Sequence, residues 1–200
     1  MAPETCYMQG MSQSDTNPVY VSLEFTPNPN TLKYSVNRQL LAKGAANFTS
    51  KAEADAGSIL ASRLFGVPGV SGVMIGKDFV TVTKNEEGDW DVVHKTASGV
   101  IEQALASGTA VVNEGVHNDG PKGGDTEAEK KIRNIIDTEI RPAVAMDGGD
   151  ITFEKFEDGV VYVYLQGSCA GCPSSTMTLK MGIENRLKQA VPEVREVVSV

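Results

Sequence analysis

Cysteine and histidine are scarce in this chain, with three of the first and two of the second in 200 residues. So few cysteines cannot make a disulfide framework, and the chain reads as one made for a reducing compartment. Lysine and arginine are missing from the first 32 residues, where Glu4 and Asp15 stand instead. A secretory signal needs a basic start and an apolar core, and a mitochondrial presequence is rich in arginine and poor in acids, so this segment resembles neither. The expected compartment is the bacterial cytoplasm, or the mitochondrial matrix if the chain is eukaryotic and already processed. No apolar run approaches the ~20 residues that a membrane-spanning helix requires, so no membrane partner is expected. A surplus of positive charge is missing too: the net charge is -8, and acids outnumber bases on both sides of residue 126. That balance argues against nucleic acid as a partner.

What is present divides in two, as a chain longer than the commonest single domain allows. Residues 1–17 are small, polar and aperiodic and read as a disordered tail, with Cys6 an unimportant thiol in it. Val19, Val21, Leu23 and Phe25 then alternate as in a half-buried strand. Thr26-Pro27-Asn28-Pro29-Asn30 breaks the ladder as a turn, and Leu32, Tyr34 and Val36 continue as a second strand expected to pair with the first. Ser50 and Glu53 have capping-box spacing, opening a helix with Ala56, Ile59, Leu60 and Leu64 on one face. Residues 73–75 and 79–83 read as a hairpin. Asp89 caps a helix with a stripe of Val93, Ala97, Val100, Ile101, Ala104 and Leu105. Trp90 and His94 are read as structural. Residues 18–108 are thus β-β-α-β-β-α, and the polar, glycine-rich residues 109–125, His117 among them, form a flexible linker.

A second capping box, Thr126 to Glu129, opens the other half. Its helix carries Ile132, Ile135, Ile136 and Ile140 and is expected to end before Pro142. Asp147-Gly148-Gly149-Asp150 is a sharp turn. Residues 151–156 and 160–166 flank an acidic Asp-Gly turn as a hairpin. A helix with Leu179, Ile183, Leu187 and Ala190 follows, Met177 and Met181 filling gaps beside that stripe, and Val194, Val197, Val198 and Val200 close with a short strand. Residues 126–200 are α-β-β-α-β, so the expected class is α+β with two small domains.

The chemistry concentrates at Gly-Ser-Cys-Ala-Gly-Cys-Pro-Ser-Ser, residues 167–175, between a strand and a helix. Cys169 and Cys172 form a Cys-x-x-Cys pair whose sulfurs can reach one metal or each other. Pro173 suits the first position of a helix, which places Cys172 at or beside the N-cap and turns the positive end of the helix toward both sulfurs. Zinc in a structural site, or a [4Fe-4S] cluster, takes four protein ligands, and one chain supplies two. A two-fold dimer would complete the set, and a site divided between chains suits a carrier. Two other readings stay open at this point: a thiol-disulfide oxidoreductase, with the more exposed Cys169 attacking and Cys172 resolving, and a soft-metal carrier for copper or zinc.

Asp147-Gly148-Gly149-Asp150-Ile151, Leu165-x-Gly167-x-Cys169-x-x-Cys172-Pro173-x-Ser175, Thr178-Leu179, Gly182-Ile183-Glu184 and Pro192-Glu193-Val194 resemble the C-terminal domain of NifU, shared by the Nfu-type iron-sulfur carriers. Thr26-Pro27-Asn28-Pro29-Asn30-x-Leu32-Lys33-Tyr34, Gly69-Val70 and Asp78-Phe79-Val80-Thr81-Val82-Thr83-Lys84, with Trp90, resemble the N-terminal domain that accompanies it. The resemblance implies that Cys169 and Cys172 bind a [4Fe-4S] cluster shared by two protomers, so that the loaded form is a homodimer. It implies cluster receipt from upstream assembly scaffolds and delivery to apo iron-sulfur proteins, with no turnover chemistry of the chain's own.

Overall fold

Strands β1 (Val21–Phe25), β2 (Thr31–Val36), β3 (Ala46–Phe48), β4 (Val70–Ile75) and β5 (Phe79–Lys84) pair antiparallel in the order β1-β2-β5-β4-β3. This is a computed structural model, and it describes residues 18–108, 110–113, 115, 116, 126–170 and 173–200. The expected tail with Cys6, much of the expected linker with His117, and Cys172 lie outside the described residues. Both anticipated pairings are present, Leu23 facing Tyr34 across β1 and β2, and Val73 facing Val82 across β4 and β5. Strand β3 was not anticipated, because three residues are too short to show a period; its Phe48 is buried in the core. The alternation in β1 misleads as well. β1 lies at the sheet edge, where Val19 and Val21 reach the core but Leu23 and Phe25 are exposed.

One face of this sheet is covered by helices. The single expected helix is two, α1 (Lys51–Gly57) and α2 (Ile59–Leu64), separated by Ser58 in an extended conformation. The Ser58 hydroxyl accepts from the Ala61 N–H at 3.0 Å and donates to the Val111 carbonyl at 2.5 Å, so it both caps α2 and ties down the chain at residue 111. The break shifts the helical phase: Ala54, Leu60, Ala61 and Leu64 are buried, while Ala56 and Ile59 face solvent. Helix α3 (Trp90–Ala106), capped by Asp89, lays Val93, Ala97, Ile101, Ala104 and Leu105 on the sheet. Tyr34 is fully buried beneath it, its hydroxyl 3.3 Å from His94 Nδ1, and burial pushes its ionisation up to about 12 from 10.0.

Folding therefore favours the neutral phenol. The stability this contributes is complete below pH 10.0 and is lost as the pH rises toward about 12. Alkaline titration should accordingly show tyrosinate absorbance at 295 nm rising in step with loss of far-ultraviolet circular dichroism for the last tyrosine to ionise. Complete ionisation of all tyrosines while the fold persists would contradict this account.

In the second half Thr126 makes both limbs of the capping box with Glu129 and starts α4 (Glu127–Ile135). The helix does not stop before Pro142, as expected from sequence. It passes through a π turn (Ile136–Ile140) into α5 (Arg141–Met146), with Pro142 in the first positions of α5. The π turn has already interrupted the regular ladder there, so the N–H that proline lacks is not missed. Strands β6 (Gly149–Glu157) and β7 (Val160–Gly167) form the expected hairpin, and α6 (Pro173–Ala190) crosses over to bring β8 (Glu196–Ser199) parallel to β7. Ile132, Ile136, Ile151, Val161, Val163, Leu187 and Val197 make a separate core. Met177 and Met181 are not gap-fillers: they lie on the solvent face of α6, 67% and 61% exposed.

The two domains meet on the other face of the first sheet. Lys33, Met74, Phe79 and Thr81 alternate with the core residues of β2, β4 and β5, and all four are nevertheless buried. The turn after α5 and the end of β7 rest on them. A Cβ on Gly148 (φ 77°) would lie 3.0 Å from a Thr81 methyl, and one on Gly167 (φ 63°) would lie 2.7 Å from the Met74 methyl. These glycines therefore serve close approach between domains as well as their left-handed backbone.

Candidate metal centre

β7 delivers the chain through Gly167 into a tight turn, Ser168 to Ala170, before α6 begins at Pro173 as expected. The turn is tied on both sides. Ser168 donates its N–H to the Gly148 carbonyl at 3.1 Å and its hydroxyl to the Asp147 carbonyl, while the Ala170 N–H returns to the Gly167 carbonyl at 3.1 Å. From the N-terminal domain, Asn28 Nδ2 donates to the carbonyls of Ser168 and Ala170, each at 3.2 Å.

Cys169 sits between those two carbonyls and is 7% exposed. Its sulfur lies so close to Gly149 that a Cβ there would come within 2.4 Å of Sγ, so the second glycine of Asp-Gly-Gly-Asp makes the room for it. Val144 packs at the same point. Burial pushes the Cys169 thiol above its ordinary range; a contact with Ser168 Oγ, 3.9 Å away, pulls the other way, and the Asp147 and Asp150 carboxylates add to the rise. The expected thiolate-favouring field is thus outweighed at Cys169. Cys169 is buried because the start of the turn folds into the core of its own domain, and its expected greater exposure than Cys172 rests on a residue outside the described ones. A nucleophile that attacks disulfides needs an accessible sulfur with thiolate character, and Cys169 in this form has neither.

The turn beneath the sulfur is held by a salt bridge. Arg141 on α5 grips Asp150 on β6 with both arms of the guanidinium, Nε to Oδ1 at 2.6 Å and Nη2 to Oδ2 at 2.8 Å. The Asp150 side chain is 5% exposed. Asp150 follows Gly149 directly, so this pair fixes the strand against which Sγ rests.

Among the described residues, no group of three or more His, Cys, Asp or Glu side chains is arranged to hold a metal ion. Cys169 is a soft thiol donor of the kind that iron-sulfur clusters take, but its sulfur faces inward, and presenting it requires the turn to move. Cys172, expected to be its partner, lies outside the described residues. His94 is engaged with Tyr34, ring against ring at 5.8 Å, and is structural as expected; Trp90 donates Nε1–H to the Pro29 carbonyl at 3.1 Å. Asn28 is the residue that the sequence reading passed over as part of a turn. The available signal was an asparagine between two prolines, more rigidity than a turn alone requires.

Two family models match the chain in order, "Scaffold protein Nfu/NifU N terminal" over residues 21–108 and "NifU-like domain" over residues 132–198. It is 42% identical over 185 residues to a human protein named NFU1 iron-sulfur cluster scaffold homolog, mitochondrial, covering 91% of this chain and 72% of that one. A Drosophila virilis protein of the same name is 38% identical over 192 residues, covering 95% and 64%. A solution NMR structure of a NifU-like protein from Saccharomyces cerevisiae aligns over 57% of this chain and 99% of that one, at 24% identity and a TM-score of 0.44. The chain thus spans only part of the length of the relatives named here. With an N-terminal Nfu domain docked on a NifU-like domain, the chain belongs to the Nfu family.

Proposed function

We propose that this chain is an iron-sulfur cluster carrier, in which Cys169 and Cys172 from each of two protomers hold one [4Fe-4S] cluster as cargo for apo-proteins. The observation that carries the reading is the placement of Cys169 at the strand-to-helix turn of a NifU-like domain, in a chain whose relatives are named as cluster scaffolds. Two thiolates per chain fall short of the four that a cluster takes, and a second protomer supplies the remainder. Because the cargo is shared, incoming cysteines of an acceptor can replace one protomer's pair at a time. The NifU-like match and the scaffold names of the relatives favour this reading over the dithiol oxidoreductase, and no reaction of the chain's own is needed. Upstream scaffolds would donate the cluster. The named relatives are mitochondrial, which supports the mitochondrial matrix as the compartment; the bacterial alternative finds no support among them.

Anaerobic incubation with iron and sulfide should turn the protein brown, with a broad visible shoulder and about four irons and four sulfides per dimer. The dithiol form should reduce insulin only weakly. A colourless product with robust disulfide reductase activity would establish the oxidoreductase instead.

A further inference from the structure

The cysteine turn is gripped from outside its own domain, and the grip has the form of a latch. Asn28 stands between Pro27 and Pro29, whose rings fix φ on either side. Its Oδ1 accepts from the Asn30 N–H at 3.0 Å, and Thr26 Oγ1 bonds to both the Asn28 N–H and its carbonyl, so the residue is rigidly presented. What it presents is a single amide nitrogen with two hydrogens, directed at the two carbonyls that bracket Cys169. Asn28 is 5% exposed although it lies in a surface turn of its own sheet, because the second domain covers it. Nearby, Lys33 Nζ reaches across to the Met146 carbonyl at 3.0 Å.

Swinging the turn outward with its sulfur displaces the Ser168 carbonyl just before Cys169 and the Ala170 carbonyl one residue after it, and those are the carbonyls that Asn28 holds. The same contact places the N-terminal domain over the turn, where a second protomer must approach to share a cluster. The docking is also separable. Thr81 turns its methyl toward Gly148 in the contact, and its Oγ1 is buried without a hydrogen-bond partner among the described residues, a cost that undocking relieves.

We infer that Asn28 is a positioning residue for the cysteine turn: the N-terminal domain caps the turn through it, holds Cys169 inward, and must let go before two protomers can share a cluster. The regulatory meaning rests on the carrier reading above; the latch itself is a statement about access to Cys169. The N-terminal domain and the second protomer then compete for one surface, and loading is coupled to undocking.

The test is alkylation of Cys169 in the reduced, folded full-length chain, using iodoacetamide pulses at fixed pH and fragment-ion mass spectrometry to separate Cys169 from Cys172. Asn28→Asp keeps an oxygen for the Asn30 N–H, so the turn survives, but it replaces the donor with an acceptor facing two carbonyls. Reaction through an opened state follows the population of that state, so Asn28→Asp should speed Cys169 alkylation roughly tenfold or more, since it removes two hydrogen bonds and one of ordinary net strength is worth about fivefold. Lys33→Met, which loosens the docking at Met146 and leaves the latch in place, should give a smaller rise in the same direction. It decides the matter if Asn28→Asp does not fold. Rates for every folded variant that stay within about twofold of the parent would overturn the latch, since even one hydrogen bond of typical strength exceeds that. Should the parent take up no cluster while alkylation still responds to Asn28→Asp, the carrier reading has failed and the latch stands.

Discussion

Cys169→Ser and Cys172→Ser are each expected to abolish stable cluster binding and transfer, and Cys6→Ser to affect neither. In a symmetric dimer one substitution per chain removes two of the four thiolates, and an alcohol at neutral pH does not ionise to replace them. The readouts are visible absorption after reconstitution and activation of an apo iron-sulfur enzyme. The redox reading predicts an asymmetry instead: loss of Cys172 would trap mixed disulfides through Cys169, while loss of Cys169 would simply silence the protein. From sequence, both serine variants would be expected to fold as well as the parent, since each cysteine would stand near a helix start. The packing of Cys169 against Val144 and Gly149 changes that expectation for one of them. A buried hydroxyl in place of a thiol costs about 1–3 kcal/mol where it finds no partner, so Cys169→Ser should also lower the urea midpoint. Wild-type-like cluster content in either variant would end the shared-site reading.

Local chemistry was legible in the sequence, and long-range chemistry was not. The caps at Asp89 and Thr126, the hairpins and the start of α6 at Pro173 depend on residues a few positions apart, and they stand where those residues put them. The break at Ser58 has a local part, the cap on Ala61, and a distant one, the bond to the Val111 carbonyl 53 positions away that no local pattern announces. The continuation past Pro142 depends on a π turn that lets the helix absorb the proline. Phe25 reads as a core residue by alternation, yet it is 87% exposed at an edge that the helices do not cover. The site divides in the same way. Cys169 was identifiable as a ligand type from its spacing to Cys172, whereas its inward orientation comes from Gly149 and from Asn28, the latter 141 residues earlier in the chain. The paired glycines at 148 and 149 read as a sharp turn; in the structure one admits the sulfur and the other admits the neighbouring domain.

Arg141→Met should be the most destabilising single change at the base of the site. Asp150 is nearly fully buried, and the guanidinium satisfies both of its oxygens. A surface ion pair would matter little, and the second carboxylate near Arg141 is such a case, since Asp137 lies 3.6 Å away and is 53% exposed. Asp150 is different because water cannot take over when the cation is removed. Leaving a buried charge uncompensated costs about 3–5 kcal/mol, a large part of the ~5–15 kcal/mol by which a domain is usually stable. Urea denaturation followed by circular dichroism should therefore show a markedly lower midpoint for Arg141→Met. The pair itself is not expected to be worth that much, because both ions lose hydration to form it. Adding Asp150→Leu to Arg141→Met should consequently recover most of the loss, an outcome that separates the cost of an orphaned carboxylate from that of a missing arginine side chain. If the double variant were no more stable than the single one, the damage would lie in the packing of α5 against β6 and not in the charge. A single variant within about 1 kcal/mol of the parent would show that Asp150 reaches solvent at little cost, and that the turn carrying Gly149 is held by other contacts.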